Sequence, residues 1–103
     1  MKVVWTKSAL NALFEVFTYY ETNVSRTIAA NIKNNILSSV RQLQTYPQSG
    51  TKEELLENLG EGHRCLIRGN YKVIYKIENR QVYITDVFDC RQNPEKIKRI
   101  IKS

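Results

Sequence analysis

A chain of 103 residues is the size of one domain, and folding buries roughly 65% of the surface its unfolded form exposes, so no disulfide or metal is needed to hold it. The net charge of +6 is uneven: residues 1–60 carry six Lys or Arg against five Asp or Glu, and residues 61–103 carry ten against five, which favours an anionic partner such as nucleic acid or an acidic protein. No run approaches the roughly 18 apolar residues of a membrane span, and Lys2, Thr6 and Lys7 interrupt the start where a secretory leader would be apolar, so a reducing cytoplasm with free Cys65 and Cys90 is expected.

The elements follow in chain order. KVVW at 2–5 is a short β-prone run that adds to the edge of a sheet, and Thr6 after it is a good helix N-cap. From Lys7 the apolar residues Leu10, Leu13, Phe14, Phe17 and Tyr20 recur at helical spacing. ETNVS breaks that pattern, and Ser25 caps a second helix with the stripe Ile28, Ile32, Ile36, Val40 and Leu43. Pro47 and Gly50 in TYPQSG end it, which leaves two helices in an antiparallel hairpin. KEELLENL predicts one or two helical turns ended by GEG, with its glutamates on a solvated face. The period then changes to two in HRCLIR, YKVIYKIE and QVYITDVFD, separated by Gly69-Asn70 and Asn79-Arg80, which predicts a three-stranded antiparallel meander. NPEKIKRIIKS closes the chain as a short basic helix with Asn93 as N-cap and Pro94 at its first position. The fold class is α+β: a two-helix antiparallel hairpin on a small antiparallel sheet, one domain over residues 1–103.

Two-residue turns set Arg68 opposite Tyr71, Leu66 opposite Val73, Arg64 opposite Tyr75 and Tyr75 opposite Ile84. One sheet face is then Leu66, Val73, Tyr75, Ile77, Val82 and Ile84, which belongs against the helices. The other carries Lys72, Ile74, Lys76, Tyr83, Thr85, Val87 and Asp89 and is the candidate working surface. A one-residue slip in the first hairpin would bring Arg64 and Arg68 to the face of Lys72, and the residues alone leave that register open.

The nucleophile and metal chemistries have little support. Cys90 beside Arg91 has no adjacent base, since neighbours on a strand point to opposite faces, and the sole histidine, His63, lies at the other end of the strand region. One His and two separated Cys give no ligand cluster at zinc spacing, so no metal and no cofactor are expected. What remains is a set of cations interleaved with aromatics: Arg64, Arg68, Lys72, Tyr75, Lys76, Tyr83 and Arg91. Such a set can neutralise phosphates, stack on bases, or stabilise a phosphorane-like transition state.

Four stretches in this order and spacing carry a resemblance: Trp5 to Leu10 (WTKSAL), Leu43 to Gly50 (LQTYPQSG), His63 to Ile77 (HRCLIRGNYKVIYKI) and Val82 to Pro94. Over nearly its whole length the chain resembles the RelE/ParE superfamily of type II toxin–antitoxin toxins, also known as plasmid stabilisation proteins. The resemblance implies a cytoplasmic, growth-inhibiting toxin neutralised by an acidic antitoxin that covers Arg64, Lys72 and Arg91. It also implies one of two targets: mRNA in the ribosome for RelE-like members, or DNA gyrase for ParE-like members.

Carried over by the same resemblance, Lys72 stands where the nuclease branch often has an arginine on the scissile phosphate, Arg64 where either branch has Arg or Lys, and Arg91 in a motif that usually reads V-x-H-x-R-R. Here Asp89 replaces the His and Gln92 the second Arg, and no Tyr or His follows Arg91. Lys72, Arg91 and Arg64 are therefore the catalytic candidates of a nuclease. Arg64, Arg68, Lys72, Lys76, Tyr83, Asp89 and Arg91 are the candidates for contacting a partner or nucleic acid. The missing C-terminal Tyr and His favour ParE-like binding to gyrase. The alternatives are an mRNA endonuclease with an atypical catalytic set and a toxin fold that binds antitoxin without toxicity.

Overall fold

Thr6 ends a strand and starts a helix within one residue. Its hydroxyl donates to the carbonyl of Ile84 at 2.7 Å and accepts from the Ala9 N–H at 3.2 Å, so it ties the sheet to the first turn of the helix it caps. The order is β1 (Lys2–Trp5), α1 (Lys7–Asn23), α2 (Arg26–Arg41), β2 (Thr51–Lys52), β3 (Arg64–Arg68), β4 (Tyr71–Glu78) and β5 (Gln81–Asp89), with 3-10 segments at Gln42–Gln44, Glu54–Leu59 and Pro94–Lys102. The structure is a computed structural model that describes residues 1–102, with side chains through Lys98. Ser103, which the expected C-terminal helix included, lies outside the described residues. That helix is a 3-10 segment, and its expected cap holds: Asn93 Oδ1 accepts from the Glu95 N–H at 3.0 Å.

The α+β class stands, with two helices on one sheet in the order β1-β5-β4-β3-β2. The sheet is mixed, because the edge strand β1 runs parallel to β5, and it gains the two-residue β2 on the outer edge of β3. The α1–α2 break behaves as expected: the Val24 and Ser25 N–H groups both bond the Tyr20 carbonyl, and Ser25 accepts from Ile28 N at 3.1 Å.

The apolar face of α1 is rotated from expectation, and of the stripe expected for α2 the members Ile32, Ile36, Val40 and Leu43 stand while the first, Ile28, does not. On α1 the buried residues are Ala9, Ala12 and Leu13, with Val16 and Tyr20 packed at the margin, whereas Leu10 and Phe14 point outward and Phe14 is 68% exposed. On α2 Ala29, Ile36 and Val40 are buried, and Ile28 is exposed. The reason is close approach. Ala9 and Ala29 are fully buried because a small side chain at a contact lets a helix axis sit near its neighbour, and the large residues about 100° round the helix are left outside.

The first hairpin has the register set by a two-residue turn at Gly69 (φ 58°), with Arg64 opposite Tyr75 and Arg68 opposite Tyr71. The second hairpin starts in register, with Ile77 opposite Val82 and Tyr75 opposite Ile84. Ile74 then pairs with Asp86, so Thr85 is an extra residue, a β-bulge whose hydroxyl donates to Ile74 O at 3.3 Å. One extra residue exchanges the faces of everything after it. Val87 therefore joins Val73 in the core beneath the helices, and Asp89 sits opposite Tyr71 on the helix side, not on the outer face with Lys72.

Nor is the outer face left bare. Leu56, Cys65, Ile74, Phe88 and Ile97 form a second buried cluster there, covered by the Glu54–Leu59 and Pro94–Lys102 segments. The glutamates before and within the first segment are not all solvated: Glu53 is 3% exposed.

Gly50 couples the loop after α2 to the sheet. Its N–H donates to Tyr75 Oη at 3.0 Å, and its carbonyl accepts from Arg64 Nη1 at 2.9 Å. A Cβ there would lie 2.6 Å from both the Cys65 carbonyl oxygen and Tyr75 Oη. Gly50→Ala is expected to cost about 1–3 kcal/mol through overpacking against backbone, read as a lower urea midpoint at unchanged m-value.

Candidate functional site

The sheet divides the sequence-predicted residues into two groups. Arg64, Arg68, Asp89 and Arg91 lie on the helix side or at its end, whereas Lys72, Lys76 and Tyr83 lie on the outer face. The single cationic and aromatic surface expected from the strand pattern is thus two clusters back to back. Tyr75 belongs to neither, being wholly buried in the core.

On the outer face the lysines of β4 meet the acids flanking the Glu54–Leu59 segment. Lys72 Nζ lies 3.0 Å from Glu53 Oε2, and Glu53 Oε1 accepts from the Leu55 N–H at 3.3 Å. Burial works against the Lys72 charge, yet the hydrogen bond and charge of Glu53 leave its pKa above the ordinary value. Lys76 Nζ is 3.5 Å from Glu61 and 3.4 Å from Glu78. Tyr83 donates to Gln81 Oε1 at 2.8 Å.

Beneath this cluster sits His63, whose side chain is wholly buried and whose ring nitrogens both lack a hydrogen-bond partner among the described residues. Its Nε2 is 3.9 Å from Glu61 Oε2. Burial lowers its pKa below 6.5, Glu61 works in the opposite direction, and Lys76 adds to the depression. It is thus a neutral imidazole under ordinary conditions. Burial pushes the Cys65 thiol up, and it does the same to Cys90 despite the nearby Lys72. Neither sulfur is an activated nucleophile.

On the other face of the sheet Arg91 closes a polar knot. Its Nε donates to Asp89 Oδ1 and its Nη2 to Asp89 Oδ2, each at 2.9 Å, a two-point ion pair. Nη2 also reaches Tyr20 Oη at 3.2 Å and Tyr71 Oη at 3.5 Å, and the Arg91 N–H bonds Asp89 Oδ1 at 2.9 Å. The Arg91 bonds hold the Asp89 carboxyl below its usual range. The knot links the C-terminal half of α1, the start of β4 and the end of β5. Tyr20 and Tyr71 meet edge to face with centroids 6.5 Å apart. A cleft of about 500 Å³ opens beside Tyr20 and Tyr71 towards Arg68 and Gln42, and one of about 340 Å³ opens beside Tyr71 and Arg91 towards Glu15 and Tyr19. Arg68 bonds Gln42 Oε1 at 3.1 Å and the Ile67 carbonyl at 2.8 Å.

Sequence reasoning missed Glu53, His63, Tyr20 and Tyr71 as members of these clusters. A signal existed for Glu53, since an acid directly before a capped 3-10 segment is a candidate to bond its first N–H groups. Nothing local marks Tyr20 and Tyr71, which are 51 residues apart and meet only because α1 crosses the start of β4.

Removing Lys72 leaves Glu53 as a buried carboxylate without its cation. Lys72→Met is expected to lower stability by about 3 kcal/mol, and the double change Glu53→Gln/Lys72→Met by less than half of that, both by urea titration at pH 7. His63 carries the pH dependence. Its folded pKa is below the unfolded value of 6.5, so below that pH the unfolded chain takes up a proton that the folded one refuses. Stability is therefore full above pH 6.5 and falls as the pH drops below it towards the lowered folded-state pKa, and His63→Leu should flatten that fall in urea midpoints taken against pH.

No curated protein matches the chain by sequence. A chain of a solved structure described as "Chromosomal ParDE TA system from P. aeruginosa" superposes with a TM-score of 0.73 over 86% of this chain and 95% of that one, at 19% identity, which is a likeness of fold. Among the described residues no helix is long and apolar enough to cross a membrane. A family model described as "ParE toxin of type II toxin-antitoxin system, parDE" matches residues 3–94. With the helix hairpin, the meander and the end of β5 all inside that match, the chain belongs to the ParE family of toxins of type II toxin–antitoxin modules.

Proposed function

We propose that the protein acts without catalysis, inhibiting DNA gyrase by binding it, and that an acidic antitoxin neutralises it in the resting module. The observation that carries this reading is the state of the three cations a nuclease would need. Arg64 donates to the Gly50 carbonyl, Lys72 is paired with buried Glu53, and Arg91 is held at two points by Asp89. A phosphate approaching Lys72 or Arg91 meets a carboxylate already bound there, which repels it. The Tyr or His that usually serves as the acid of the nuclease branch does not follow Arg91, and His63 is sealed in the core. The family match supports the same reading, since the family is that of ParE.

A toxin of this kind needs a surface for its target and a segment of antitoxin to cover it, and both suit a basic chain with exposed apolar residues on its helices. The test uses the purified protein in two assays run side by side. Gyrase supercoiling is expected to fall, or gyrase-linked DNA breaks to accumulate, at toxin concentrations that leave mRNA on translating ribosomes intact. Codon-spaced mRNA cleavage with normal gyrase activity would overturn the reading in favour of the nuclease. Inactivity in both assays, with retained antitoxin binding, would favour the non-toxic module.

A further inference from the structure

The knot at the end of β5 contains a built anion site whose anion belongs to the chain itself. Arg91 donates from Nε and Nη2 to one carboxylate, and the hydroxyls of Tyr20 and Tyr71 lie within hydrogen-bond reach of the same Nη2. A planar fork held in one orientation beside an open cleft is what recognition of an external oxyanion calls for. Asp89 fills that position from two residues away, and its own carboxylate also accepts the Arg91 backbone N–H. Arg91 keeps half of its side chain exposed and Asp89 about a fifth, so the pair faces solvent and is not part of the core. Among the described residues Arg91 Nη1 makes no hydrogen bond and remains a donor.

We propose that Asp89 is the specificity-determining residue of this site: its carboxylate stands in for a phosphate, and so keeps single-stranded RNA off a guanidinium that is otherwise positioned to bind it. The inference goes beyond the gyrase reading and does not depend on it. Three features follow from the geometry. The exclusion acts by occupancy and charge together, because a phosphate would have to break two charge-assisted bonds and then sit against the displaced carboxylate. The site is preorganised, because the tyrosine hydroxyls remain when the Asp89 charge is removed. Neutralising Asp89 also keeps the turn, because an amide oxygen at that position can still accept the Arg91 N–H.

The experiment measures fluorescence anisotropy of a labelled single-stranded RNA oligonucleotide with the full chain across a salt series. Asp89→Asn is expected to bind about tenfold more tightly than the wild type at moderate salt, with a salt slope steeper by about 0.7, the increment of one phosphate contact on a single strand. Glu15→Gln is the charge-matched control. It alters a residue lining the same cleft and raises the net charge by the same one unit, but leaves the Arg91–Asp89 pair intact, so its effect should stay within about twofold. Asp89→Asn/Arg91→Gln restores the wild-type net charge and should return affinity and slope to wild-type values. The proposal is overturned if Asp89→Asn binds no better than Glu15→Gln, or if its gain survives in the double variant. Should the thermal melt of Asp89→Asn show a folding defect, Asp89→Ser takes its place under the same two criteria, since a serine hydroxyl can also accept the Arg91 N–H.

Discussion

Thr85 has no partner across the β4–β5 ladder, and the placement of Asp89 on the face opposite Lys72 follows from that one residue. Up to Ile84 the strand alternates as its sequence suggests, with Val82 and Ile84 under the helices. Beyond the bulge the alternation is reversed. Val87 then lies in the helix-side core, Phe88 in the outer core, and Asp89 reaches the mouth of the cleft beside Tyr71. A regular ladder would have put Asp89 on the face of Lys72, within reach of the lysines that Glu53 and Glu61 now neutralise. The bulge therefore decides which acid meets which base.

The two clusters it separates are built on different physics. On the outer face the charges are partly withdrawn from water: Glu53 is buried, Lys72 is mostly covered, and His63 stays neutral because Glu61 only partly offsets the cost of charging it. Lys72 and Glu53 hold each other there, because removing either would strand the other. At the cleft end Arg91 and Asp89 remain in contact with solvent, where an ion pair contributes little to stability. The value of that pair lies in what it occupies. A protein of net charge +6 thus has several of its most suggestive cations already satisfied, and its overall charge is a poor guide to where an anion would bind.

The second hydrophobic cluster explains why the outer face is not an open working surface. Ile74 and Phe88 stand on the side of the sheet away from the helices, and Leu56 and Ile97 come from the two 3-10 segments to cover them. Strands buried on both faces lose the strict alternation of a one-sided sheet, and IYK and VFD in β4 and β5 show that loss. Read with a strict period of two, they mark the outer residues as solvent-facing.

Most of the fold was legible in the residues, because its determinants are local. Thr6 and Ser25 cap the helices they precede, the two-residue turns set the hairpin registers, and helical spacing separates the hairpin from the meander. The sequence also marked the arginine at the end of β5 and the acid two residues before it, and the order of its motifs carried the family. Three things were left to tertiary structure. Alanines rather than Leu10 and Phe14 face the core, because helix proximity is set by what lies opposite. The bulge at Thr85 arises from competition between register and core filling on both faces of the sheet, which no stretch of one strand contains. The partners of the cations come from Glu53 and Tyr20, 19 residues from Lys72 and 71 from Arg91 along the chain. Local chemistry names the residues that carry charge, and only the packing of distant elements decides which of those charges are still free to meet a partner.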